Sequence, residues 1–346
     1  MSRIIELPES PRDIVSSVRF SPAYPQLLAG SWDGSVTLYS TSTESLESPR
    51  PPLARVQCDS PVTSVCWGQG GRKAFISSTS GAISEIDMEN RSLNDIGHKH
   101  ELGVQSLVSL GSTSSSLLVS GSWDRSIQYI DSRTGSTTQT VTNLPGKIFA
   151  MDSTPNGDKL VVAMSNRLVH VYDVRNSLEP LQIRESGLKY QTKDLKCMPN
   201  GEGYAQSSIE GRVAIEYFDP SETSQSRKYA FKCHRLAASD MDLVSPVNSL
   251  TFHSSYGTLF TAGADGHVCL WDHQSKKRLR QYSKLDQSVV SLDFDDKDGQ
   301  AIIAIATSDD SFKTAPSIDS ASSPMRSKIF IRALAENEGA PRVKNH

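Results

Sequence analysis

The stretches AGSWDGSVTLYS (residues 29–40) and SGSWDRSIQYID (residues 120–131) carry the same phrase, in which a strand end of small residues is followed by a tight turn and an alternating strand. Variants of this phrase begin at Ser77, Ala163, Ser207, Ala262 and Ala306. The turn residues are Asp33, Ser80, Asp124, Asn166, Glu210, Asp265 and Asp309. They are separated by 47, 44, 42, 44, 55 and 44 positions, about 46 on average, which indicates a repeat fold of seven units.

A second phrase lies upstream of each turn phrase, and alternate residues in it are apolar. Alternation of this kind predicts a strand with one inward face. The inward residues are Val18, Val65, Leu107, Ala150, Leu195, Leu250 and Leu292. A single small sheet cannot cover both of its apolar faces, but seven sheets arranged radially cover one another. The sequence therefore predicts an all-β fold.

Composition and charge exclude several classes of protein. The 346 residues carry a net charge of −3, which excludes nucleic-acid binding through bulk positive charge. The chain has no apolar run of about 18 residues, so a membrane-spanning helix is excluded. The N-terminal MSRIIELPESPRD lacks the pattern of a signal peptide, so we expect an intracellular protein. The five cysteines show no CxxC spacing, which favours buried, reduced thiols.

Motifs for catalysis or cofactor binding are absent from the sequence. It contains no G-x-S-x-G, GxxxxGK[ST], G-x-G-x-x-G or HExxH pattern, so we expect neither an enzyme nor a cofactor. His98 and His100 form the only close histidine pair, and a loop histidine tying the third blade is favoured over a metal site. A propeller hydrolase would need carboxylates or histidines at the channel mouth, whereas the inner strands predict Ser, Thr and apolar residues there.

These repeats resemble the WD-repeat β-propeller family over nearly the whole chain. Trp271-Asp272 and Tyr172-Asp173 match the aromatic-Asp end of that family's third strand. The resemblance implies seven blades, closed by an N-terminal strand from Ile4 that joins the last blade. We expect one domain over residues 1–335, with insertions at about 219–245 and 311–327. Residues 336–346 are expected to form a loose C-terminal tail.

Two tryptophans occupy the position just before the turn residue. Trp32 and Trp123 stand where the other units have Thr79, Ser165, Ile209, Ala264 and Ser308. An indole at such a turn exposes a large apolar surface unless something covers it, and tryptophan is enriched in interface hot spots. We expect both side chains to bind a partner. The alternative is that each ring lies flat on a neighbouring loop.

The interval of 55 residues exceeds its neighbours and contains SQSRKYAFKCHRL. The positive side chains of this region are Arg227, Lys228, Lys232, His234 and Arg235, with Arg212 beginning the preceding strand. Arginine binds carboxylate and phosphate through two parallel hydrogen bonds. We therefore expect a local anion-binding surface, with a solvated charge run as the alternative.

The segments IEGRVAIEYFD, YAFKCHR and ATSDDSFK resemble the spindle-checkpoint WD-repeat propellers, the budding-uninhibited-by-benzimidazole group. The resemblance implies a non-catalytic adaptor at kinetochores in mitosis and otherwise in the nucleus. Such an adaptor binds the acidic GLEBS segments of the checkpoint kinase and its inhibitor relative, and phosphorylated Met-Glu-Leu-Thr repeats of the kinetochore scaffold. By position, Trp32, Trp123 and Arg212 would bind GLEBS peptides, and Arg235 with Lys232 would bind the phosphothreonine.

One departure from this group and one alternative function remain. A basic residue that a relative carries near position 257 is Gly257 here, so phosphate binding is expected to depend on fewer cations. The IEGR and FKCHR segments are shared with the nuclear-pore mRNA-export propellers. The alternative function is therefore an export factor that binds a GLEBS peptide and single-stranded RNA.

Overall fold

The computed structural model describes residues 4–110, 116–176, 178–237, 240–310 and 326–341. Within these ranges the chain forms seven four-stranded antiparallel sheets and one two-stranded hairpin. The inner strands of the seven sheets contact one another in a closed ring. The predicted seven-bladed propeller is confirmed. The longest helix of the described residues has five residues, and none could cross a membrane.

Blades one to three are regular, and each runs from an inner to an outer strand. The strands of blade one are β2 (Val15–Phe20), β3 (Gln26–Ser31), β4 (Ser35–Ser40) and β5 (Ala54–Gln57), with helix α1 (Thr43–Glu47) between the last two. Blade two contains β6 (Val62–Trp67), β7 (Ala74–Ser78), β8 (Ile83–Asp87) and β9 (Ser92–Asp95). Blade three contains β10 (Val104–Leu110), β11 (Leu117–Ser122), β12 (Ile127–Asp131) and β13 (Ser136–Val141).

Blades four to six follow the same order. Blade four contains β14 (Ile148–Ser153), β15 (Lys159–Met164), β16 (Leu168–Asp173) and β17 (Gln182–Glu185). Blade five contains β18 (Thr192–Cys197), β19 (Gly203–Ser208), β20 (Arg212–Tyr217) and β21 (Tyr229–Lys232), with helix α2 (Glu222–Gln225) before β21. The hairpin of β22 (Arg235–Ala237) and β23 (Asp242–Val244) precedes blade six, which contains β24 (Val247–Phe252), β25 (Leu259–Gly263), β26 (Val268–Asp272) and β27 (Lys277–Gln281).

The N-terminal strand closes blade seven. This blade contains β28 (Ser288–Asp295), β29 (Ile302–Ser308) and β30 (Lys328–Ala333), and its outer position is filled by β1 (Ile4–Glu6). Residues Ile4 and Glu6 pair with Arg332 and Phe330 in antiparallel register. The predicted closure by the N-terminal strand is confirmed. It removes the open edge that the last sheet would otherwise expose.

Inner strands of neighbouring blades are joined by side-chain acceptors. Asp194 of β18 accepts a hydrogen bond from the Leu250 N–H at 2.7 Å, and Asp293 of β28 accepts one from the Phe20 N–H at 2.7 Å. Burial raises the pKa of both carboxyl groups, although the positive charges of Lys196 and Arg19 oppose it. These carboxylates satisfy backbone donors that would otherwise be unpaired between sheets.

Two blades use a histidine to hold the turn between their second and third strands. In blade three, His100 Nδ1 lies 3.0 Å from Asp124 Oδ2. In blade six, His234 Nδ1 lies 2.9 Å from Asp265 Oδ1. Burial opposes ionisation of Asp265, but hydrogen bonds, led by the one to His234, outweigh it and hold the pKa of Asp265 below its usual range. The histidine that ties the third blade is therefore His100, and His98 is exposed.

The interval 219–245 differs from the expected simple insertion. It includes β21, the regular outer strand of blade five, so the part that other blades lack is the hairpin β22–β23. The second expected insertion, 311–327, falls almost entirely outside the described residues.

The beginning of the C-terminal segment is packed, which corrects the expectation of a loose tail over residues 336–341. The Glu338 side chain is 1% exposed and accepts hydrogen bonds from Arg280 at 2.7 Å and the Ala335 N–H at 2.8 Å. Gly339 lies against the His253 ring, and its carbonyl accepts a hydrogen bond from Thr258. This segment therefore joins blade seven to blade six. The structural description ends at residue 341.

Candidate peptide-binding face

The predicted binding residues lie on one end of the propeller. We call the end that carries the turns between second and third strands the top face, and the opposite end the bottom face. Trp32 is in such a turn of blade one and is 43% exposed. Its backbone N–H donates to the Ile14 carbonyl at 2.9 Å, and both side chains line the central channel. Trp32 thus offers an apolar anchor at the channel mouth.

Trp123 has the equivalent position in blade three but is only partly exposed. Its backbone N–H donates to the Gly103 carbonyl at 3.0 Å. A Cβ atom added to Gly103 would lie 2.7 Å from the indole, so the ring rests directly on this glycine. For Trp123 the structure agrees with the alternative that the ring lies on a neighbouring loop, while part of the ring stays accessible.

Arg212 and Lys232 meet at the top of blade five. They are directly opposite each other in the pairing of β20 with β21. Such cross-strand neighbours have Cβ atoms about 5 Å apart, and like charges there repel. Lys232 is exposed and forms no ion pair with any described residue. Arg212 Nε lies 3.6 Å from Glu210 Oε2. The pair therefore concentrates positive charge that one carboxylate offsets only in part.

Arg235 begins the hairpin next to this pair. Its Nη2 donates to the Glu210 carbonyl at 2.8 Å, and its Nη1 lies 3.6 Å from Asp242 Oδ2. Among the described residues, its Nε has no hydrogen-bond partner. A separation of 3.6 Å is longer than a hydrogen bond of about 2.7–3.2 Å. The guanidinium group is thus held in place while its bonding capacity is only partly used.

The fold separates the positive residues that the sequence predicts to form one anion-binding surface. The four residues of β21 separate Arg227 and Lys228 from Lys232 and Arg235. Arg227 lies at the bottom end, where its guanidinium group stacks on the Tyr217 ring at 4.1 Å and pairs with Glu202 at 3.1 Å. His234 is buried in the turn network of blade six. The prediction that Arg227, Lys228 and His234 belong to one patch with Arg212 and Arg235 is wrong. Strand β21 runs from the bottom face to the top face, so the residues before it and after it lie at opposite ends of the propeller.

The hairpin adds an apolar surface that sequence reasoning missed. Leu236 and Leu243 are cross-strand partners, and both are exposed, as is Met241 between the strands. An isolated two-stranded hairpin is marginally stable in water. The run RLAASDMDLV at residues 235–244 carried this signal, because it places Leu236, Met241 and Leu243 close together in a stretch without a repeat counterpart.

The central channel is a cavity of about 680 Å³ with both polar and apolar walls. Its walls include the charged residues Arg19, Asp152, Asp194 and Lys196. The expectation of only Ser, Thr and apolar residues on the inner strands is wrong. The carboxylates are engaged, because Asp152 accepts a hydrogen bond from the Cys197 N–H at 2.7 Å and Asp194 bonds blade six. No group of three metal-ligating residues occurs in the described ranges.

The buried cysteines Cys66 and Cys269 lack the environment of reactive thiols. Burial raises the pKa of Cys66 to about 11 and that of Cys269 to about 12. A thiolate is the nucleophilic form, so neither side chain is activated at neutral pH. The top-face surfaces described above support ion pairing and apolar contact.

Comparison with known families agrees with this architecture. The model of the WD domain, G-beta repeat, matches residues 2–40, 91–131 and 230–272. These stretches include the turn residues Asp33, Asp124 and Asp265. The two blades with a His–Asp contact are therefore among the matched units.

Relatives that match most of the chain establish the family to which it belongs. Mitotic checkpoint protein BUB3.1 of Arabidopsis thaliana is 40% identical, and the match covers 98% of this chain and 95% of the relative. Mitotic checkpoint protein bub3 of Dictyostelium discoideum is 38% identical over 89% of each chain. The chain belongs to the Bub3 family. The Poly(A)+ RNA export protein of Schizosaccharomyces pombe is 31% identical over 99% of this chain and 94% of its own. The resemblance to the checkpoint group is confirmed, and Bub3 membership indicates a scaffold with a role in the spindle checkpoint.

One expectation drawn from the Bub3 group is corrected by the fold. Gly257 lies in the loop between β24 and β25, which is on the bottom face. Arg235 is on the top face, at the other end of β24. A side chain at position 257 therefore lies on the wrong face to join Lys232 and Arg235 around one phosphate. Whether a cation is present there does not affect the top-face site.

Proposed function

We propose that this Bub3-family chain is a non-catalytic adaptor that binds acidic GLEBS segments of the checkpoint kinase and its inhibitor relative. We further propose that it binds phosphorylated Met-Glu-Leu-Thr repeats of the kinetochore scaffold and so brings those proteins to unattached kinetochores. Nuclear residence and kinetochore residence in mitosis belong to the same proposal. The observation that carries it is the cross-strand pair of Arg212 and Lys232, next to Arg235 and on the same face as Trp32.

The cation group favours a strongly anionic ligand. Arg212 and Lys232 repel each other, and the carboxylates of Glu210 and Asp242 lie 3.6 Å from the guanidinium groups, too far for hydrogen bonds. A phosphothreonine brings close to two negative charges and three acceptor oxygens, so it gains charge-assisted hydrogen bonds that threonine cannot form. We assign Arg235 and Lys232 to the phosphate and Arg212 to a GLEBS glutamate. Binding is then controlled by a kinase.

The apolar part of the ligand needs a second anchor. Trp32 lies in blade one and Trp123 in blade three, whereas the cations lie in blade five and in the hairpin that follows it. One ligand can reach an indole and a cation only if it crosses the top face beside the channel mouth. A segment that orders on binding loses conformational freedom, and burial of an exposed indole offsets part of that loss. An extended acidic peptide with an aromatic or aliphatic residue fits this spacing.

The test uses the full chain and two peptides. Arg212→Glu and Trp32→Ala are expected to weaken GLEBS binding at least tenfold, and Arg235→Glu to abolish the preference for the phosphorylated Met-Glu-Leu-Thr peptide over its unphosphorylated form. Arg227→Glu is the matched control, because it reverses a charge in the same stretch but on the bottom face. Unchanged binding by folded Arg212→Glu and Trp32→Ala variants would remove the proposed site.

A second function is supported by the 31% identity to an RNA export protein. In that case the top-face cations would bind single-stranded RNA, while Trp32 would still bind a GLEBS peptide. Affinity for RNA that falls steeply with salt, together with no preference for the phosphorylated peptide, would favour it. Capture of partners from mitotic and interphase extracts distinguishes kinase recruitment from association with pore proteins.

A further inference from the structure

The third residue of the turn between second and third strands is strained in two blades. Four blades place a glycine there with positive φ: Gly34 (81°), Gly81 (86°), Gly211 (64°) and Gly266 (81°). Blades three and four place Arg125 (φ 67°) and Arg167 (φ 65°) at this point. An L-residue in the left-handed region costs roughly 1–2 kcal/mol, whereas glycine adopts it freely. Something other than turn geometry therefore favours arginine at these two positions.

The side chain of Arg167 stabilises a neighbouring loop. Its Nη2 donates to the Ser186 carbonyl at 2.8 Å, and its Nε donates to the Leu188 carbonyl at 3.1 Å. Its Nη1 also lies 3.0 Å from Glu185. These contacts hold the loop before blade five in place, so the strain at Arg167 is offset within the fold.

The Arg125 side chain makes no comparable contacts with the described residues. Its side chain is exposed and forms no hydrogen bond or ion pair with the residues that the structure describes. Its carbonyl accepts a hydrogen bond from the Leu144 N–H at 3.0 Å, a contact that glycine would make equally well. The fold thus gains nothing from this side chain. A strained residue that the fold does not need is a candidate for binding.

We propose that Arg125 is a third anchor on the top face and binds a carboxylate of the acidic segment that passes over Trp123. This inference rests on the proposed GLEBS binding and adds a cation in blade three to those in blade five. Trp123 and Arg125 are two residues apart in the same turn, so an apolar side chain and an acidic one close together in the ligand meet both. The guanidinium group recognises the carboxylate through charge-assisted, bidentate hydrogen bonds.

The decisive variant is Arg125→Gly, because it removes the side chain and also relieves the strain. Its melting temperature is expected to equal or exceed that of the parent chain. Its affinity for a synthetic GLEBS peptide is expected to fall about fivefold, as measured by titration calorimetry. For the same peptide with glutamates replaced by glutamine, the two proteins should bind equally. Arg125→Lys should restore part of the affinity for the acidic peptide.

Different results would contradict the role of Arg125 and the proposed function on which it rests. If the parent chain fails to bind the acidic peptide, the proposed function is wrong. If the parent chain binds and Arg125→Gly binds equally well, or loses the same factor with the glutamine peptide, Arg125 does not bind a carboxylate. Arg167→Gly is the control at the same turn position. It is expected to unfold at a lower temperature, because three contacts of its side chain are lost.

Discussion

The turns of blades one and three begin with the same residues, Ser-Trp-Asp, and yet expose their indoles differently. The backbone N–H of Trp32 donates to the Ile14 carbonyl, and that of Trp123 to the Gly103 carbonyl, so Ile14 and Gly103 are structurally equivalent. Glycine leaves room for the ring of Trp123, whereas Ile14 has a side chain at this point. Blade one continues with Gly34 and blade three with Arg125. A repeated motif therefore fixes the position of a side chain, and a residue outside the motif decides its exposure.

The largest expected effect is a loss of peptide affinity on replacing Trp32, which should exceed the loss on replacing Trp123. Trp32→Ala should lower GLEBS-peptide affinity about thirtyfold, near 2 kcal/mol, with little change in stability, because the ring is exposed. Trp123→Ala should lower affinity less and should also lower the melting temperature, because its ring packs on Gly103. Calorimetric titration and thermal unfolding of both variants test this. The opposite order of affinities would mean that exposure does not identify the main anchor.

The next effect concerns the glycine beneath Trp123. Gly103→Val places a Cβ within 2.7 Å of the indole and should destabilise the chain by about 1–3 kcal/mol while pushing the ring outwards. In a Trp32→Phe background, acrylamide quenching of fluorescence should increase. Gly187→Val is the matched control, because it lies in the corresponding loop of blade five and the nearest atom to an added Cβ is 3.8 Å away. Equal effects of the two substitutions would contradict the packing argument.

Acid should affect the two turns unequally. Burial lowers the pKa of His100, although Asp124 opposes this, and the ring also contacts Ser126 and Ser120. A folded pKa below the unfolded value means that the unfolded chain binds more protons, so stability falls as pH drops below about 6.5. In blade one, Asp33 accepts instead from the Arg12 backbone N–H.

Hydrogen exchange measures this difference. After correction for the intrinsic rate, amides in the Asp124 turn should become less protected between pH 7 and pH 5, and those in the Asp33 turn should change less. The control is His100→Gln, which should remove the acid sensitivity of the blade-three turn. Equal loss of protection in both turns would show that His100 is not the cause.

The smallest expected effect is that of Ile14→Gly, which gives blade one the glycine that blade three has next to its tryptophan. Space beneath Trp32 should let its ring settle on the backbone, which should shift its fluorescence to shorter wavelength in a Trp123→Phe background. Affinity for the GLEBS peptide should fall about threefold, less than 1 kcal/mol. A rise in affinity would mean that Ile14, and not the indole, limits access to the channel mouth.

The sequence predicted the fold well because its period was visible in the turn residues and in the alternating strands. It also placed Trp32 and Trp123 on the top face, since the turn motif determines that position. It failed for Arg227 and His234, because four residues of β21 separate top from bottom and because a buried histidine looks the same in sequence as an exposed one. The pairing of Arg212 with Lys232 depends on strand register, which composition does not reveal.

The pairing of β1 with β30 has a consequence for folding during synthesis. Among the strands of the propeller, β1 is synthesised first and its partner β30 last, some 320 residues later, so β1 has no strand to pair with until the other blades have been made. Until then the nascent chain can assemble its middle blades but cannot close the circle, and a chaperone that shields unpaired strand edges would have its longest opportunity at this stage.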